Sequence, residues 1–170
     1  MFGFVDYTVC CRFRMKIKIV SVGKLKDDFN RLGVLEYAKR LSRFCEVEIK
    51  ETPEENFVKT PSNSEIAKIL QKESVYIEKE LVGKVIVMDI GGKNYSSEEF
   101  SKLLKDSFMQ SNAITFVIGG SYGLDESIKK RADLKMSFSK MTFPHGLFRV
   151  MLVEQIYRAM SINANMPYHK

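Results

Sequence analysis

The sequence predicts an α/β fold in which a mostly parallel sheet carries helices on both of its faces. Short apolar runs end in glycines at residues 85–89 and 114–118, and such runs are typical of strands that are buried on both sides. Helical patterns of apolar residues lie between the strand patterns, and two of them open with the S-x-x-E capping pattern, at Ser62 and Ser96. Strands that alternate with helices along one chain favour a parallel sheet.

The first half of the chain supplies two strands and two helices. Residues 16–22 alternate lysine with isoleucine and valine, which predicts a half-buried strand. Apolar residues at helical spacing predict a helix over about 28–44. A second strand is predicted to end before Pro53, and the polar residues 52–64 are predicted to form a mobile loop. The first capping pattern then opens a helix over about 62–81.

The second half continues the alternation with three strands and three helices. Gly91 and Gly92 are predicted to end the strand at 85–89, and the capping pattern at Ser96 opens the next helix. The remaining predicted elements are a strand at 114–118, a basic helix at about 125–132, a strand at 134–138 and a long helix at about 146–163.

Composition indicates one globular domain. The chain has 170 residues, of which 45% are hydrophobic and 28% are charged. It contains no apolar run of about 20 residues, which is the length that predicts a membrane-spanning helix. Residues 1–14 lack the pattern of a secretory signal and are interpreted as an extension that is not native, or as a wrongly assigned start. We therefore expect residues 15–170 to form the domain.

The three cysteines have neither CxxC nor histidine-paired spacing, which predicts no disulfide framework and no metal site. A reducing, cytoplasmic location is the expectation. The net charge of +6 is uneven: residues 1–50 carry +5, residues 51–128 carry −5 and residues 129–170 carry +6. Positive charge in these segments suits a polyphosphate partner. A lysine-rich surface in contact with water explains the same charge.

A glycine-rich turn follows the strand at 114–118 and is the first candidate for a binding site. Gly119, Gly120 and Gly123 let a backbone approach a ligand closely, and ligands of open α/β sheets bind beyond the carboxyl ends of strands. A plain turn has the same pattern. The chain has no G-x-G-x-x-G motif, which argues against a dinucleotide site. If the turn binds a ligand, we expect Gly119→Val to block that ligand and to leave the fold largely intact.

Four separated motifs then identify a family. They are the glycine-rich turn, SFSKMTFPH at 137–145, VEQIYRA at 153–159 and PYHK at 167–170. In this order and spacing they closely resemble the RlmH family of ribosomal RNA methyltransferases, which belongs to the SPOUT class. Residues 15–24 resemble the first strand of that family, so the resemblance covers about residues 15–170.

The resemblance implies a C-terminal trefoil knot, which the residue patterns alone do not predict because threaded chains are very rare. It also implies S-adenosyl-L-methionine as the cofactor. Apolar side chains in the SFSKMTFPH motif suit the walls of an adenine site, and Asp89 is a candidate for orienting the ribose or, alternatively, a helix-cap or turn residue. The cofactor residues implied by the match are Met88, Gly119, Gly120, Phe138, Ser139, Lys140, Met141, Thr142 and Phe143.

The reaction that the resemblance implies is methylation of the imide nitrogen of a pseudouridine in a stem-loop of 23S ribosomal RNA. Such an enzyme has to accept or relay a proton and to align nitrogen, methyl group and sulfur. His145 and Arg149 lie four residues apart at the start of the last helix and are candidates for these roles. Glu154 and Arg158 have the same spacing, and Glu154 is a further candidate, although the two residues alternatively form a structural ion pair.

The side chains of the last three residues suit contact with RNA and proton transfer. Tyr168 offers stacking, His169 proton transfer and Lys170 a phosphate contact. We expect the tail to fold over the site when RNA binds, with Tyr168 or His169 nearest the target base; ordinary fraying of a terminus is the alternative. Lys170, Arg149 and Arg158 are the candidates for RNA contacts.

The expected partners are a second copy of the chain and the ribosome with its 23S RNA, and neither a membrane nor DNA. The dimer is expected to form largely on the final helix, because apolar residues surround that helix and one small domain covers a single side. A ribosome-binding protein without catalysis and a SPOUT enzyme acting on another RNA are the alternatives. The intact glycine-rich turn and SFSKMTF segment argue against the first alternative, since an RNA binder needs no adenine pocket.

Overall fold

The computed structural model describes residues 15–55 and 60–168. Within this part of the chain, five strands form one sheet in the order β2-β1-β4-β3-β5, and every pair of neighbours is parallel. The predicted α/β class and parallel sheet are confirmed, while the knot stays a prediction and residues 1–14 lie outside the described part. The strands are β1 (Lys16–Val22), β2 (Glu46–Thr52), β3 (Lys84–Asn94), β4 (Ala113–Ile118) and β5 (Leu134–Ser137).

Helices cover both faces of the sheet, as predicted. The first, third and fifth described helices share a hydrophobic core on one face, around Phe116, and the second and fourth pack on the other face, around Val117. The helices are α1 (Asp28–Leu41), α2 (Asn63–Glu78), α3 (Ser97–Gln110), α4 (Glu126–Arg131) and α5 (His145–Asn163).

Capping side chains explain where α2 and α3 begin. Ser62 and Ser96 accept hydrogen bonds from the backbone of Glu65 and Glu99, and each glutamate accepts the serine N–H in return, at 2.7 and 2.8 Å. Both predicted capping boxes are therefore confirmed. The predicted loop before Ser62 includes residues 56–59, which lie outside the described part of the chain, so its mobility stays a prediction.

The prediction that β1 is half-buried is wrong. Lys18 is buried, and its ammonium group donates to Glu80 at 2.6 Å and lies 3.2 Å from Glu48. Burial opposes the charge of Lys18, but the hydrogen bonds to the two carboxylates outweigh burial and raise its pKa. The alternation of lysine and isoleucine in β1 thus belongs to a strand that is covered on both faces and carries an ion-pair network on one of them.

The prediction that Gly91 and Gly92 end β3 is also wrong. The strand continues to Asn94, and its register against β5 shifts, because Met88 and Lys93 both pair with Met136. Residues 89–92 therefore bulge out of the sheet. A Cβ atom on Gly92 would lie 2.6 Å from the Met136 nitrogen, so the bulge depends on a glycine at this point.

The dimer expected on α5 stays a prediction, although one part of the argument for it changes. Leu152, Val153 and Ile156 are fully buried within one chain, because α1 and α3 flank α5 above the sheet. A single chain thus covers more than one side of this apolar helix. Large exposed apolar side chains lie on α1 instead: Phe29, Leu32 and Leu35 are 78%, 60% and 53% exposed. None of the helices in the described residues combines the length and the apolar character needed to cross a membrane.

Candidate active site

Three segments enclose a cavity of about 530 Å³ at the carboxyl edge of the sheet. They are the bulge at 89–92, the glycine loop at 119–123 and the segment at 138–143, which follow or interrupt β3, β4 and β5. Parallel strands bring these three segments to the same edge, which is where open α/β sheets bind ligands. The start of α5 closes the cavity with His145 and Phe148.

The glycine loop is held in shape by its own backbone. Gly123 adopts a left-handed conformation (φ 88°), and its N–H donates to the Gly120 carbonyl at 3.0 Å. A Cβ atom on Gly119 would lie 2.6 Å from the Gly123 carbonyl carbon. Gly119 is therefore required by the loop itself as well as by any ligand, and the expectation that Gly119→Val leaves the fold intact is wrong.

Side-chain oxygens fix the path of the segment at 138–143. The Ser137 hydroxyl donates to the Ser139 carbonyl at 2.8 Å, and the Met141 N–H donates to the Ser139 hydroxyl at 3.0 Å. Phe148 of α5 packs against the rings of Phe138 and Phe143, with centroid distances of 5.1 and 6.2 Å. All of the predicted cofactor residues line the cavity except Lys140, which is exposed beside it.

An ion pair provides the charged wall of the cavity. The Lys129 ammonium lies 2.9 Å from Asp89, whose other carboxylate oxygen accepts the Gly91 N–H at 2.8 Å. Burial opposes ionisation of Asp89, but the bonds from Lys129 and Gly91 outweigh it and lower the pKa of this carboxyl. Asp89 thus makes the turn contact that was its alternative interpretation, and because it also lines the cavity, its contact with a ribose stays a prediction. Lys129 was missed at the level of sequence, because one lysine among three basic residues at the end of α4 carries no distinguishing signal.

Arg149 is buried and lies away from the cavity. Its guanidinium donates to the carbonyls of Val22 and Gly23, at 2.6 and 2.9 Å, and pairs with Glu51 at 3.1 Å. Burial lowers the pKa of Arg149, although Glu51 and Glu54 oppose this effect. These bonds join the start of α5 to the end of β1, and Val22 in turn packs close to Gly120. The predicted catalytic role and RNA contact of Arg149 do not agree with this place, because its guanidinium is buried and lies outside the cavity lining.

Glu154, Arg158 and Tyr168 form a separate cluster on α5. Arg158 donates to Glu154 at 2.5 Å. This bond is the structural ion pair that the four-residue spacing gave as an alternative to a catalytic role. The Tyr168 hydroxyl donates to the same carboxylate at 3.2 Å, and its ring packs edge-on against Tyr157 at 4.8 Å and under the Arg158 guanidinium at 4.9 Å. Burial and hydrogen bonding keep the pKa of Tyr168 well above its ordinary value. The start of the tail is thus docked on α5.

Of the predicted catalytic residues, only His145 lines the cavity within the described residues. Glu154 lines a neighbouring groove of about 360 Å³ between α1, α3 and α5, and Met136 and Phe138 separate the two spaces. His169 and Lys170 lie outside the described residues. Ile90 and Tyr122 also line the cavity and were not predicted, because nothing in the local sequence marks an exposed side chain as part of a pocket.

Comparison with known proteins gives a consistent result. A family model described as "Predicted SPOUT methyltransferase" matches residues 15–169. The chain is 49% identical over 159 residues to Ribosomal RNA large subunit methyltransferase H 1 of Clostridium perfringens (strain SM101 / Type A), which covers 92% of this chain and 100% of that protein. It is 47% identical over 159 residues, with the same coverage, to Ribosomal RNA large subunit methyltransferase H of Streptococcus pneumoniae (strain CGSP14).

Solved structures share the fold at low sequence identity. A probable methylase family protein from Haemophilus influenzae Rd KW20 has a TM-score of 0.52 and 13% identity, over 91% of this chain and 70% of that chain. A probable methyltransferase from Bordetella pertussis Tohama I has a TM-score of 0.52 and 10% identity, over 87% of this chain and 95% of that chain. At such identities the likeness concerns the fold alone.

Proposed function

Because the chain belongs to the SPOUT methyltransferase family, we propose that it transfers a methyl group from S-adenosyl-L-methionine to 23S ribosomal RNA of the large subunit. The acceptor in this proposal is the imide nitrogen of a pseudouridine in a stem-loop, on the assembled cytoplasmic ribosome. The names of relatives at 47% and 49% identity support the RNA class. The observation that carries the proposal is the cavity between the glycine loop and the segment at 138–143.

The chemistry of the cavity fits the cofactor. Phe138, Met141 and Phe143 offer apolar walls for an adenine ring, and the peptide groups of the same segment offer hydrogen bonds to its edge. Ionised Asp89 is a pure hydrogen-bond acceptor and suits the donating hydroxyls of a ribose, and the Lys129 ammonium suits a carboxylate of the cofactor. When bound, the cofactor supplies an electrophilic methyl group on a positively charged sulfur.

The protein has to orient the acceptor and remove its proton. Two titratable side chains able to accept a proton line the cavity within the described residues, Asp89 and His145. Asp89 is held ionised by Lys129 and is a weak base for that reason. His145 carries an imidazole, the side-chain group that most often serves in general acid–base catalysis, and is therefore the better candidate for the general base. Tyr168, His169 and Lys170 are proposed to contact the RNA, and Arg149 to hold the cavity wall in place.

The proposal includes a homodimer with a revised interface. The exposed apolar residues of α1 begin beside the start of α5, since a Cβ atom on Gly146 would contact the Asn30 side chain. Leu147 is exposed at the same place. A second copy that covers this surface would lie next to the cavity and to the groove that contains Glu154.

The decisive experiment is methyl transfer to ribosomes. The protein is incubated with labelled S-adenosyl-L-methionine and ribosomes from a strain that lacks the activity, and the methylated nucleotide is mapped. We expect one labelled pseudouridine in 23S RNA. Label in another RNA would assign a different SPOUT activity, and ribosome binding without label would indicate a protein that has lost catalysis.

A further inference from the structure

The mouth of the cavity carries three large apolar side chains that are exposed to solvent. Ile90 is 57% exposed, Tyr122 is 43% exposed and Met141 is 72% exposed, and all three line the same cavity. Each belongs to a different segment: the bulge, the glycine loop and the segment at 138–143. We name these three residues the apolar rim. Exposed apolar groups gathered around one opening usually mark a surface that a ligand covers.

We propose that the apolar rim receives the target nucleobase of the RNA, unstacked from its neighbours, and that Tyr122 is the surface on which the base stacks. The inference rests on the proposed function, since it names where the acceptor of that reaction sits. An enzyme that modifies a base has to take it out of its stack, and the exposed base then packs between aromatic and apolar side chains. Tyr122 supplies a planar ring at the opening and Ile90 supplies apolar contacts beside it, while Met141 borders both the base and the adenine site proposed above.

The charge on the β5 side of the rim favours RNA over an apolar partner, whereas on the other side Ser121, beside Tyr122, donates to Glu54. Residues 129–140 contain five basic side chains and one acidic side chain, Asp133. This segment contains the last turn of α4, β5 and the start of the segment at 138–143, and Lys130 and Lys140 are exposed. Phosphates that flank an unstacked base would therefore meet positive charge on the side of the cavity formed by β5.

The test separates binding of the ribosome from binding of the cofactor. Tyr122→Ala removes the ring, Tyr122→Phe keeps it, and Tyr76→Ala removes an exposed tyrosine from α2, away from the cavity. Affinity for ribosomes is measured by sedimentation, and affinity for S-adenosyl-L-methionine by calorimetry. Loss of a stacked base costs about 5- to 150-fold in affinity. We expect a loss of that size for ribosomes with Tyr122→Ala, near wild-type binding with the other two variants, and unchanged cofactor affinity in all three.

Four outcomes would overturn the inference. Normal binding of ribosomes by the Tyr122→Ala variant would show that Tyr122 does not stack on the base. If this variant loses as much affinity for the cofactor as for ribosomes, the rim covers the cofactor instead. A change in sedimentation of the free protein would mean that the rim belongs to a subunit interface. A wild-type protein that fails to bind ribosomes would contradict both proposals. If the wild type binds ribosomes without methylating them, the proposed function fails, and the comparison of Tyr122 variants still decides the role of the rim.

Discussion

Gly119 illustrates how one residue can be required twice. Its lack of a side chain leaves the cavity open, and it also lets the glycine loop fold back so that Gly123 closes on Gly120. The second requirement is not visible in the sequence, since it depends on where the loop returns in space.

We predict that Gly119→Ala weakens cofactor binding and also lowers stability, by about 1–3 kcal/mol, which is typical of a side chain forced into a well-packed position. Gly91→Ala is the matched control for stability alone, because a Cβ atom there would meet only the Asp89 carboxylate, at 3.3 Å, and Gly91 itself belongs to the bulge beside the cavity. Calorimetry with S-adenosyl-L-methionine and urea denaturation measure the two effects. A Gly119→Ala protein of wild-type stability would restore the simpler role of Gly119 in leaving room for the ligand.

Side-chain roles were harder to predict than side-chain positions. The cofactor residues lie along continuous stretches of chain, so a resemblance in sequence brings nearly all of them to one cavity. His145 and Arg149 share a helix face by spacing, yet His145 reaches the cavity and Arg149 is buried against Val22 and Gly23. That difference arises from the neighbouring β1 strand, about which the spacing on α5 carries no information.

At the scale of elements, α2 supports the glycine loop through a buried carboxyl group. Glu73 accepts the Glu55 N–H at 3.1 Å, and a Cβ atom on Gly120 would lie 3.4 Å from its carboxylate. Burial, together with the nearby charges of Glu54 and Glu55, raises the pKa of Glu73, although the Glu55 N–H partly opposes this.

Since the pKa of Glu73 is higher in the folded chain than in the unfolded chain, its neutral form favours folding, and this contribution is lost as the pH rises through the folded value. Glu73→Gln mimics the neutral form at every pH. We therefore predict that this variant is more stable than the wild type at about pH 8 and that the gain shrinks towards about pH 4. Urea denaturation at both pH values measures it, with Glu78→Gln, an exposed position on the same helix, as control. A gain that does not depend on pH would contradict the assignment.

The docked tail leads to a second prediction at this scale. Tyr168 packs on Glu154 and Tyr157 of α5 and lies outside the cavity lining. Since the tail is proposed to contact the RNA, deletion of Tyr168, His169 and Lys170 should abolish methylation. The same deletion should spare cofactor binding. Turnover on ribosomes and calorimetry with the cofactor alone distinguish the two. Full activity after truncation would assign the tail to ordinary fraying and leave His145 as the main candidate for proton transfer.

Element boundaries show what local patterns can and cannot specify. The capping boxes at Ser62 and Ser96 fixed two helix starts, because the groups that form them lie within four residues. Helices α1 and α2 both end three residues earlier than predicted. The continuation of β3 past its glycines depends on pairing with β5, some forty residues later in the chain, and is invisible to any local pattern.

For the whole molecule, the exposed apolar residues Phe29, Leu32 and Leu35 of α1 predict where two copies of the chain meet in a dimer. If a second copy covers Phe29, Leu32 and Leu35, a charge in the middle of the stripe should separate the subunits, because an unpaired charge is costly to bury. We expect Leu32→Glu to sediment as a folded monomer, and Met109→Glu, at an exposed apolar position on α3, to keep the assembly of the wild type. A wild type that sediments as a monomer at micromolar concentration would refute the dimer, and an unaffected Leu32→Glu dimer would refute this interface.

The strand order has a consequence for how the protein forms. β4 is the strand that joins the pair β1–β2 to β3, so these parts share no backbone hydrogen bonds until it arrives. During synthesis, roughly the first hundred residues therefore emerge as pieces of a sheet with open edges, and pairings between distant segments are slow to form. The glycine loop follows β4 directly, so insertion of this strand joins the two parts of the sheet and brings one wall of the cavity to its edge, and the segment at 138–143 completes the cavity after β5 has paired with β3. A nascent chain should thus acquire its binding capacity late, after β5 and the segment at 138–143 have followed β4, and remain most exposed to aggregation until the sheet is complete.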